Sequence, residues 1–597
     1  MDLKKPQNLV QALENTVREY GSKVAYHWLD ESVQISNQIT YSELLAESRK
    51  YAQRINEATT VGNEPFALLL FHSGIEFIIA FCACHIAGIC PIPAYPPRKN
   101  RSYERLEGII KDSRADLIIT SRQIAKHSKS GIENSDLLSK LPLVIIEEYC
   151  SSNQNKVPAS NIKNGKYAQT AKSQLALLQY TSGSTGSPKG VMVSHGNLMA
   201  NLEDLRLYTS FESSRVMVSW LPVFHDMGLV YGVLLPLYAG STCFLFAPTA
   251  FLKRPLLWLE IISKYKGTHT TAPNFAYDLC NKAANANDLN DLDITTLLTA
   301  GNGAEPIRYS TLLEFSNNFS KSGFNPKAFT PCYGMAEATL IVSLAKPWRV
   351  ITVKDTSLQN NTVEIVEESV SLDKKLQTTS GHTPFVSCGS WLETTDIRII
   401  DESGKDVTGQ QKIGEIFVSS KSVSQGYFNN NHATAEQFVA LEHAKESLYL
   451  ATGDLGFIHE KNLYVTGRKK DLIIIRGRNY YPQDIEQTIN NSSIHLQNNA
   501  CAVFSVENGD EQKIIAVQEI KRSSIRKADF QQIRRNAKKA VYESHGISLD
   551  EFLIVKPGRI AKTSSGKIQR QKNKDEYHNN ALHLAVPARQ NPTPGGI

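Results

Sequence analysis

Short apolar runs of strand length alternate with helical patterns along most of this chain, and that alternation restricts the fold more than any other feature. Phe66 to Phe71 (FALLLF) reads as a buried strand, Ile75 to Gly88 has helical length and spacing, and Ile89 to Tyr95 is extended again among prolines. Asp116 to Thr120, Leu143 to Glu147, Ser241 to Phe246 and Leu297 to Ala300 repeat the strand pattern. A strand that is apolar on both faces needs cover on both sides, and a largely parallel sheet flanked by helices supplies it. At 597 residues the chain is too long for one core. A separate unit begins beyond Lys470: Leu472–Ile475 as a strand, Pro482 to Ile489 as a helix, Ala502 to Val506 and Ile514 to Ile520 as paired strands, and Lys527 to Ser544 as a helix. The expected fold class is an α/β large N-terminal domain with several mixed or parallel sheets, plus a small α+β C-terminal domain. Between Pro347 and Pro384 the periodicity weakens and polar runs such as Leu358-Gln-Asn-Asn361 interrupt it, so that stretch reads as an insertion.

Apolar residues make up 41% and charged residues 21%, values of an ordinary globular protein. The nine cysteines are scattered, with no CxxC pair and no Cys/His spacing of a zinc site, which fits a reducing compartment. The start lacks the apolar stretch of a signal peptide. The longest apolar run, Phe77 to Cys90, is too short to span a bilayer and reads as a buried helix. A cytoplasmic enzyme without a transmembrane segment is the expectation. Residues 471–597 hold 19 basic and 13 acidic residues and so carry the entire net charge of +6. That excess is either a solvated helix face or a docking surface for an acidic partner. No recognition motif accompanies it, so nucleic acid is not expected.

The strongest local feature is Tyr180-Thr-Ser-Gly-Ser-Thr-Gly-Ser-Pro-Lys-Gly190, set between the apolar runs Leu175 to Gln179 and Val191 to Val193. Small hydroxylated residues and glycines let backbone N–H groups and hydroxyls close around phosphate oxygens. Thr181, Ser182, Gly183, Ser184, Thr185 and Gly186 are the candidates for that cradle, with Lys189 a point charge for the outer phosphates. The order Ser-Pro-Lys-Gly differs from the Gly-Lys-Ser/Thr ending of a Walker A loop, which argues against a P-loop kinase or ATPase.

This loop resembles the phosphate-binding loop of the adenylate-forming enzymes: acyl-CoA synthetases, nonribosomal adenylation domains, luciferases and their kin. Further motifs similar to that family's run in order from about residue 10 to about 572. Pro331-Cys-Tyr-Gly-Met-Ala-Glu337 resembles the adenine and magnesium motif, which implies Tyr333 stacked on the purine and Gly334, Met335 and Ala336 beside it. Glu337, with Thr185, would then hold Mg²⁺. Ala300-Gly-Asn-Gly-Ala-Glu-Pro306 resembles the loop lining the adenine and acyl-phosphate, pointing to Gly301, Asn302, Gly303, Ala304 and Glu305. Leu450-Ala-Thr-Gly-Asp454 resembles the ribose motif, in which the carboxylate of Asp454 accepts from the two hydroxyls. Gly467-Arg-Lys-Lys-Asp471 is similar to the junction between domains, with Arg468 reaching ribose or phosphate and Lys470 at the hinge. Lys562-Thr-Ser-Ser-Gly-Lys567 resembles the last motif, whose lysine, here Lys567, is aimed at charge developing between carboxylate and α-phosphate.

The resemblance implies a division into 1–467, a hinge at 468–471, a small mobile domain at 472–585 and a disordered tail at 586–597, with the insertion at about 347–384. It also implies ATP and Mg²⁺ as cofactors and formation of an acyl-adenylate with release of pyrophosphate. Phe224-His-Asp-Met-Gly-Leu229, Tyr333-Gly-Met-Ala-Glu-Ala-Thr339 and the insertion are most similar to the fatty acyl-AMP ligases. That branch passes the acyl group to an acyl carrier protein, or to a carrier domain of a polyketide or nonribosomal peptide synthase. The alternatives are a long-chain fatty acyl-CoA synthetase and, more remotely, a catalytically silent adenylate-binding scaffold. His225 is a catalytic candidate, as a wall of the acyl site or as a hydrogen-bonding group near the adenylate. Trp220, Met227, Gly228, Tyr231 and Phe275 are candidates for an apolar acyl tunnel.

Overall fold

Parallel neighbours dominate the two largest sheets, as the doubly apolar runs require. The first sheet is ordered Ile341–Leu344, Phe329–Gly334, Thr299–Asn302, His269–Ala272, Val216–Ser219, Thr242–Phe246, Val24–Leu29, Ile35–Thr40. Its inner pairs are parallel and only its two edge strands run antiparallel. The second sheet, Cys90–Ala94, Phe66–Leu70, Leu117–Ser121 and Leu143–Ile146, is parallel throughout. The apolar run after Phe66–Leu70 is the helix Ile75–Ala87, of whose 13 residues 11 are buried, which explains why it has no polar face. Among the described residues no helix is long and apolar enough to cross a membrane. The computed structural model describes residues 5–585 apart from 59–64, 97–102, 127–134, 136, 148–173, 182–187, 285–288, 290, 377–380, 442–443, 476–477, 509–510 and 564–565.

The parallel arrangement has a direct consequence for where a site can form. Val216–Ser219, His269–Ala272, Thr299–Asn302 and Phe329–Gly334 are neighbours that point the same way, so the segments leaving their C-terminal ends converge on one edge. Those segments are Trp220 onward, Pro273-Asn274-Phe275, Gly303-Ala304-Glu305 and Met335-Ala336-Glu337.

The weakly periodic stretch after Pro347 is a three-stranded antiparallel sheet with Arg349–Lys354 between Ile365–Val370 and His382–Val386. It is no loose loop. Ile351, Val353, Leu358 and Val363 are buried against Leu455, Phe457 and Tyr464 of the strands Ala444–His459 and Asn462–Arg468, and Tyr481 joins the same cluster. Trp348 is fully buried and its Nε1–H donates to the Pro326 carbonyl at 3.0 Å.

Beyond Leu472 a distinct apolar cluster forms from residues such as Ile473, Ile485, Val503, Ala516, Ile533 and Phe552. The sheet Leu496–Asn508, Glu511–Ile520, Glu551–Val555 carries the helices Pro482–Asn491 and Phe530–His545 on this face. Arg570, at the start of the helix Arg570–His578, donates from Nε and Nη2 to the two oxygens of Glu486 at 2.7 and 2.8 Å. Its Nη1 donates to Asp471 at 2.7 Å.

Because the inserted sheet shares a core with the strands behind it, Ile351→Ala is expected to cost about 2–5 kcal/mol. A urea titration followed by tryptophan fluorescence reads this as a fall in midpoint; an unchanged midpoint would mean the sheet is a detachable surface element.

Candidate functional site

The strands Leu175–Thr181 and Lys189–Ser194 form an antiparallel pair that brings Thr181 opposite Lys189. Ser182, Gly183, Ser184, Thr185 and Gly186 lie outside the described residues. The Lys189 ammonium sits 5.0 Å from the centre of the Tyr427 ring. The Tyr427 hydroxyl in turn donates to Glu337 Oε1 at 2.8 Å and lies 2.8 Å from the Gln437 side-chain oxygen. Burial and the neighbouring Glu337 push the Tyr427 hydroxyl pKa up, which keeps it a proton donor. Thr181, Lys189, Tyr427 and Glu337 all line one large cleft.

A second group on the cleft wall is built from two strands. Asp454 and Arg468 are register partners on Ala444–His459 and Asn462–Arg468. Arg468 Nε is 3.0 Å from Asp454 Oδ1, and the Tyr333 hydroxyl donates to Asp454 Oδ2 at 2.8 Å. Asp454 is the first cause holding the Arg468 pKa up. Tyr333 is buried and its phenol pKa is pushed up by burial and by Asp454. A Cβ on Gly334 would lie 1.8 Å from the Leu340 carbonyl oxygen, so the chain can make this turn only with glycine there. Met335 and Ala336 line the cleft beside it.

The loop after Thr299–Asn302 divides into an exposed and a hidden part. Gly301, Ala304 and Glu305 line the cleft. Asn302 is fully buried behind them, and its Nδ2 donates to Asn274 Oδ1 at 3.3 Å. Gly303 packs against Cys332, where a Cβ would come within 2.7 Å of the sulfur. Glu305 accepts from the Phe275 backbone N–H at 2.5 Å; burial pushes its pKa up, against the pull of that N–H and of Arg308 and Lys567.

The apolar wall comes from the C-terminal ends of Val216–Ser219 and His269–Ala272. Trp220 stacks on Phe251 at 4.0 Å and meets Phe275 edge-on at 6.2 Å. Met227 to Leu234 is a wide π-type helix, so Met227, Gly228 and Tyr231 face the cleft together. A Cβ on Gly228 would lie 2.1 Å from the Pro222 carbonyl oxygen. Immediately before this helix His225 Nδ1 is 2.5 Å from Asp226 Oδ1, and the Met227 N–H donates to the same oxygen at 2.7 Å.

Lys567 closes the cleft from the C-terminal unit. Its backbone N–H donates to Thr563 Oγ1 at 3.0 Å, and a Cβ on Gly566 would come 3.8 Å from the Phe275 ring. The loop thus comes close to Phe275 of the apolar wall, with room for no more than a methyl group between them. Burial pulls the Lys567 pKa down, opposed by Asp226, Glu305 and Asp454, while Arg468 adds to the fall. Lys470 lies in the short turn Lys469–Asp471 and also lines the cleft, its pKa lowered by burial and by Arg468. The metal-ligand type cluster found among the described residues joins Glu368 of the inserted sheet to His459 and Glu460 at the turn between Ala444–His459 and Asn462–Arg468, and Arg349 already bridges Glu368 and Glu460 at 2.6 and 2.8 Å.

The predicted residues that are described therefore converge, with Asn302 and Gly303 supporting the wall from behind. Tyr427 joins them without any sequence signal: 90 positions separate it from Glu337. Asp226 lies inside the Phe224–Leu229 motif beside His225, whose Nδ1 it meets at 2.5 Å.

Residues 13–428 match the family model of the AMP-binding enzymes, and residues 470–586 match that of the Disco-interacting protein 2-like AMP domain. The medium-chain-fatty-acid–acyl-carrier-protein ligase JamA of Moorena producens (strain JHB) is 36% identical over 579 residues, covering 95% of each chain. A solved structure from a study of fatty acyl-adenylate ligases of E. coli and L. pneumophila has a TM-score of 0.81 at 29% identity, covering 96% of this chain and 98% of that one. The fatty acyl-adenylate ligase from L. pneumophila in complex with acyl adenylate and pyrophosphate has a TM-score of 0.70 at 32% identity, covering 97% of each chain.

The close approach at Gly228 makes a sharp expectation. Gly228→Ala must push the Pro222 carbonyl away and with it Trp220, so the variant is expected to show altered tryptophan emission and a lowered thermal midpoint. Wild-type emission and midpoint would mean that the turn has room for a methyl group.

Proposed function

The chain belongs to the AMP-binding enzyme family, and from that premise we propose that it is a fatty acyl-AMP ligase that hands its product to an acyl carrier protein. One observation carries the reading: Lys567 and Phe275 line one cleft that joins the Tyr333–Asp454–Arg468 group, Glu337 and an apolar wall. A nucleotide, a carboxylate and an aliphatic chain need such surfaces side by side. The name of JamA and the bound acyl adenylate and pyrophosphate of the L. pneumophila enzyme agree with that combination.

In the proposed reaction a fatty carboxylate attacks the α-phosphorus of ATP in line, the bond to the β-phosphate oxygen breaks, and pyrophosphate leaves. No proton needs to move, so the protein's contribution is position and charge. Asp454 accepts from the ribose hydroxyls, Tyr333 packs against the adenine, and Lys189 faces the outer phosphates. Lys567 donates to oxygens whose charge grows in the transition state. The hard carboxylate of Glu337 on the cleft wall fits Mg²⁺, which would neutralise the leaving pyrophosphate. Trp220, Met227, Tyr231 and Phe275 hold the acyl chain, which excludes water from the new anhydride.

We assign 468–471 as the hinge and the unit that follows as the mobile domain. Contacts between that unit and the inserted sheet favour the orientation that seats Lys567. Asn479 Nδ2 donates to Asn361 Oδ1 at 2.7 Å, and Tyr481 and Leu472 pack with Ile351, Val353 and Phe457. This bias against rotation supports an enzyme that releases acyl-AMP to a carrier over one that makes acyl-CoA.

Incubation with ATP, Mg²⁺, dodecanoic acid and coenzyme A, followed by mass spectrometry, is expected to show acyl-AMP without acyl-CoA. Abundant acyl-CoA would replace this reading with that of a CoA synthetase. Lys567→Ala is expected to slow acyl-AMP formation by about 100-fold or more while ATP still binds. Unchanged ATP–pyrophosphate exchange in that variant would remove Lys567 from the mechanism.

A further inference from the structure

Resting on the adenylation reading above, we infer that Tyr427 is a positioning residue for the phosphate-binding groups: its hydroxyl orients the Glu337 carboxylate for the metal ion while its ring seats the Lys189 ammonium for the phosphates. The backbone places it there. Tyr427 forms an antiparallel bridge with Val191 of the strand Lys189–Ser194. The Phe428 N–H donates to the Gly190 carbonyl at 2.8 Å and the Met192 N–H to the Gly426 carbonyl at 2.9 Å, which closes the bridge from both sides. Lys189 stands two residues from Val191, so its side chain leaves the same face and is the diagonal neighbour of Tyr427, a spacing that long side chains span. The ammonium accordingly lies 5.0 Å from the ring centre. Just before the tyrosine, the Ser424 N–H donates to the Glu337 backbone carbonyl at 2.8 Å, so the same short segment also holds the main chain that carries the carboxylate.

A packing role accounts for the ring of Tyr427 and leaves its hydroxyl unexplained. The residue is 2% exposed and meets Phe438 edge-on at 6.0 Å, a contact that a phenylalanine would make equally well. The phenol oxygen lies 2.8 Å from both Glu337 Oε1 and the Gln437 side-chain oxygen, and it has one proton to give. A carboxylate is the stronger acceptor, so that proton goes to Glu337. Anchored through Oε1, Glu337 keeps Oε2 as a ligand atom for a hard cation. Lys189, held over the ring, has less freedom to lose when phosphate arrives. Mg²⁺ and the phosphates it accompanies bind together, so the residue that orients the carboxylate governs how much the metal ion adds to nucleotide binding.

The experiment titrates the full-length chain with ATP in a calorimeter, once in EDTA and once in Mg²⁺, for the wild type, Tyr427→Phe, Glu337→Gln and the double variant. In Tyr427→Phe the ring stays under Lys189, so affinity in EDTA is expected to hold within about twofold while the gain on adding Mg²⁺ falls about tenfold. Because the hydroxyl acts through Glu337, its removal is expected to reduce the gain no further in the Glu337→Gln background. An undiminished gain in Tyr427→Phe, an equal loss with and without the metal ion, or a further loss in the double variant would overturn the assignment and leave Tyr427 a packing residue. The ring is tested in the ligand-free protein by competitive acetylation with acetic anhydride and mass spectrometry. Tyr427→Leu is expected to label Lys189 severalfold faster than the wild type, with Lys253 as the internal reference; unchanged labelling would remove the ring from the proposal. A thermal melt checks folding, and should Tyr427→Leu fail to fold, Tyr427→Met carries the same expectation. ATP binding that Mg²⁺ does not strengthen in the wild type would instead overturn the adenylation reading, and the labelling of Lys189 would still decide whether the ring seats that lysine.

Discussion

Arg570 is the side chain that ties the linking turn to the helix Pro482–Asn491 beneath the lysine loop. Its guanidinium spends all three nitrogens on two carboxylates, both oxygens of Glu486 and one of Asp471. Glu486 also accepts the Val503 N–H, so the network reaches into the sheet of the C-terminal unit. Taking an arginine and two carboxylates out of water is costly, and such a network contributes little net stability unless every donor and acceptor is matched. Here each guanidinium nitrogen has a carboxylate partner, and what the network secures is register. Asp471 lies in the turn that links the two units, Glu486 on the helix Pro482–Asn491, and Arg570 three residues beyond Lys567. The position of the lysine loop is thereby set relative to the turn about which the unit would swing.

The inserted sheet acts on the same relationship from the opposite side. Its apolar residues interleave with Leu455, Phe457 and Tyr464, which belong to the strands carrying Asp454 and Arg468. Tyr481 enters that cluster from just past the linking turn. A movement of the C-terminal unit therefore cannot leave the inserted sheet undisturbed, and the sheet is braced against the very strands that carry Asp454 and Arg468.

Much of this was legible in the chain alone, for local reasons. Apolar runs such as Phe66 to Phe71 announce buried strands because both faces need cover, and the strand is found at Phe66–Leu70. The loop motifs point to a nucleotide because glycines and small hydroxylated residues are needed where backbone approaches phosphate, whereas the space Gly334 lacks is taken by the Leu340 carbonyl of its own turn. The inserted sheet was harder to see. Ile365–Val370 alternates weakly because only one of its faces packs, and its partners are supplied by strands about 90 residues further on. Tyr427 was invisible, since its role rests on a contact with Glu337 and a ring under Lys189 that no spacing encodes. Asn302 shows the converse: a motif residue reads the same whether it faces the cleft or, as here, braces Asn274 from behind.

The Tyr333–Asp454–Arg468 group has one more implication. Its hydrogen bonds and ion pair are formed by the chain itself, across a strand pair and from a buried tyrosine. Two long side chains that would otherwise wander are immobilised when the protein folds, so their loss of rotamer freedom is not charged against the arriving ligand. The wall meets its guest already set, and affinity at that end reflects contact and desolvation with little penalty for ordering.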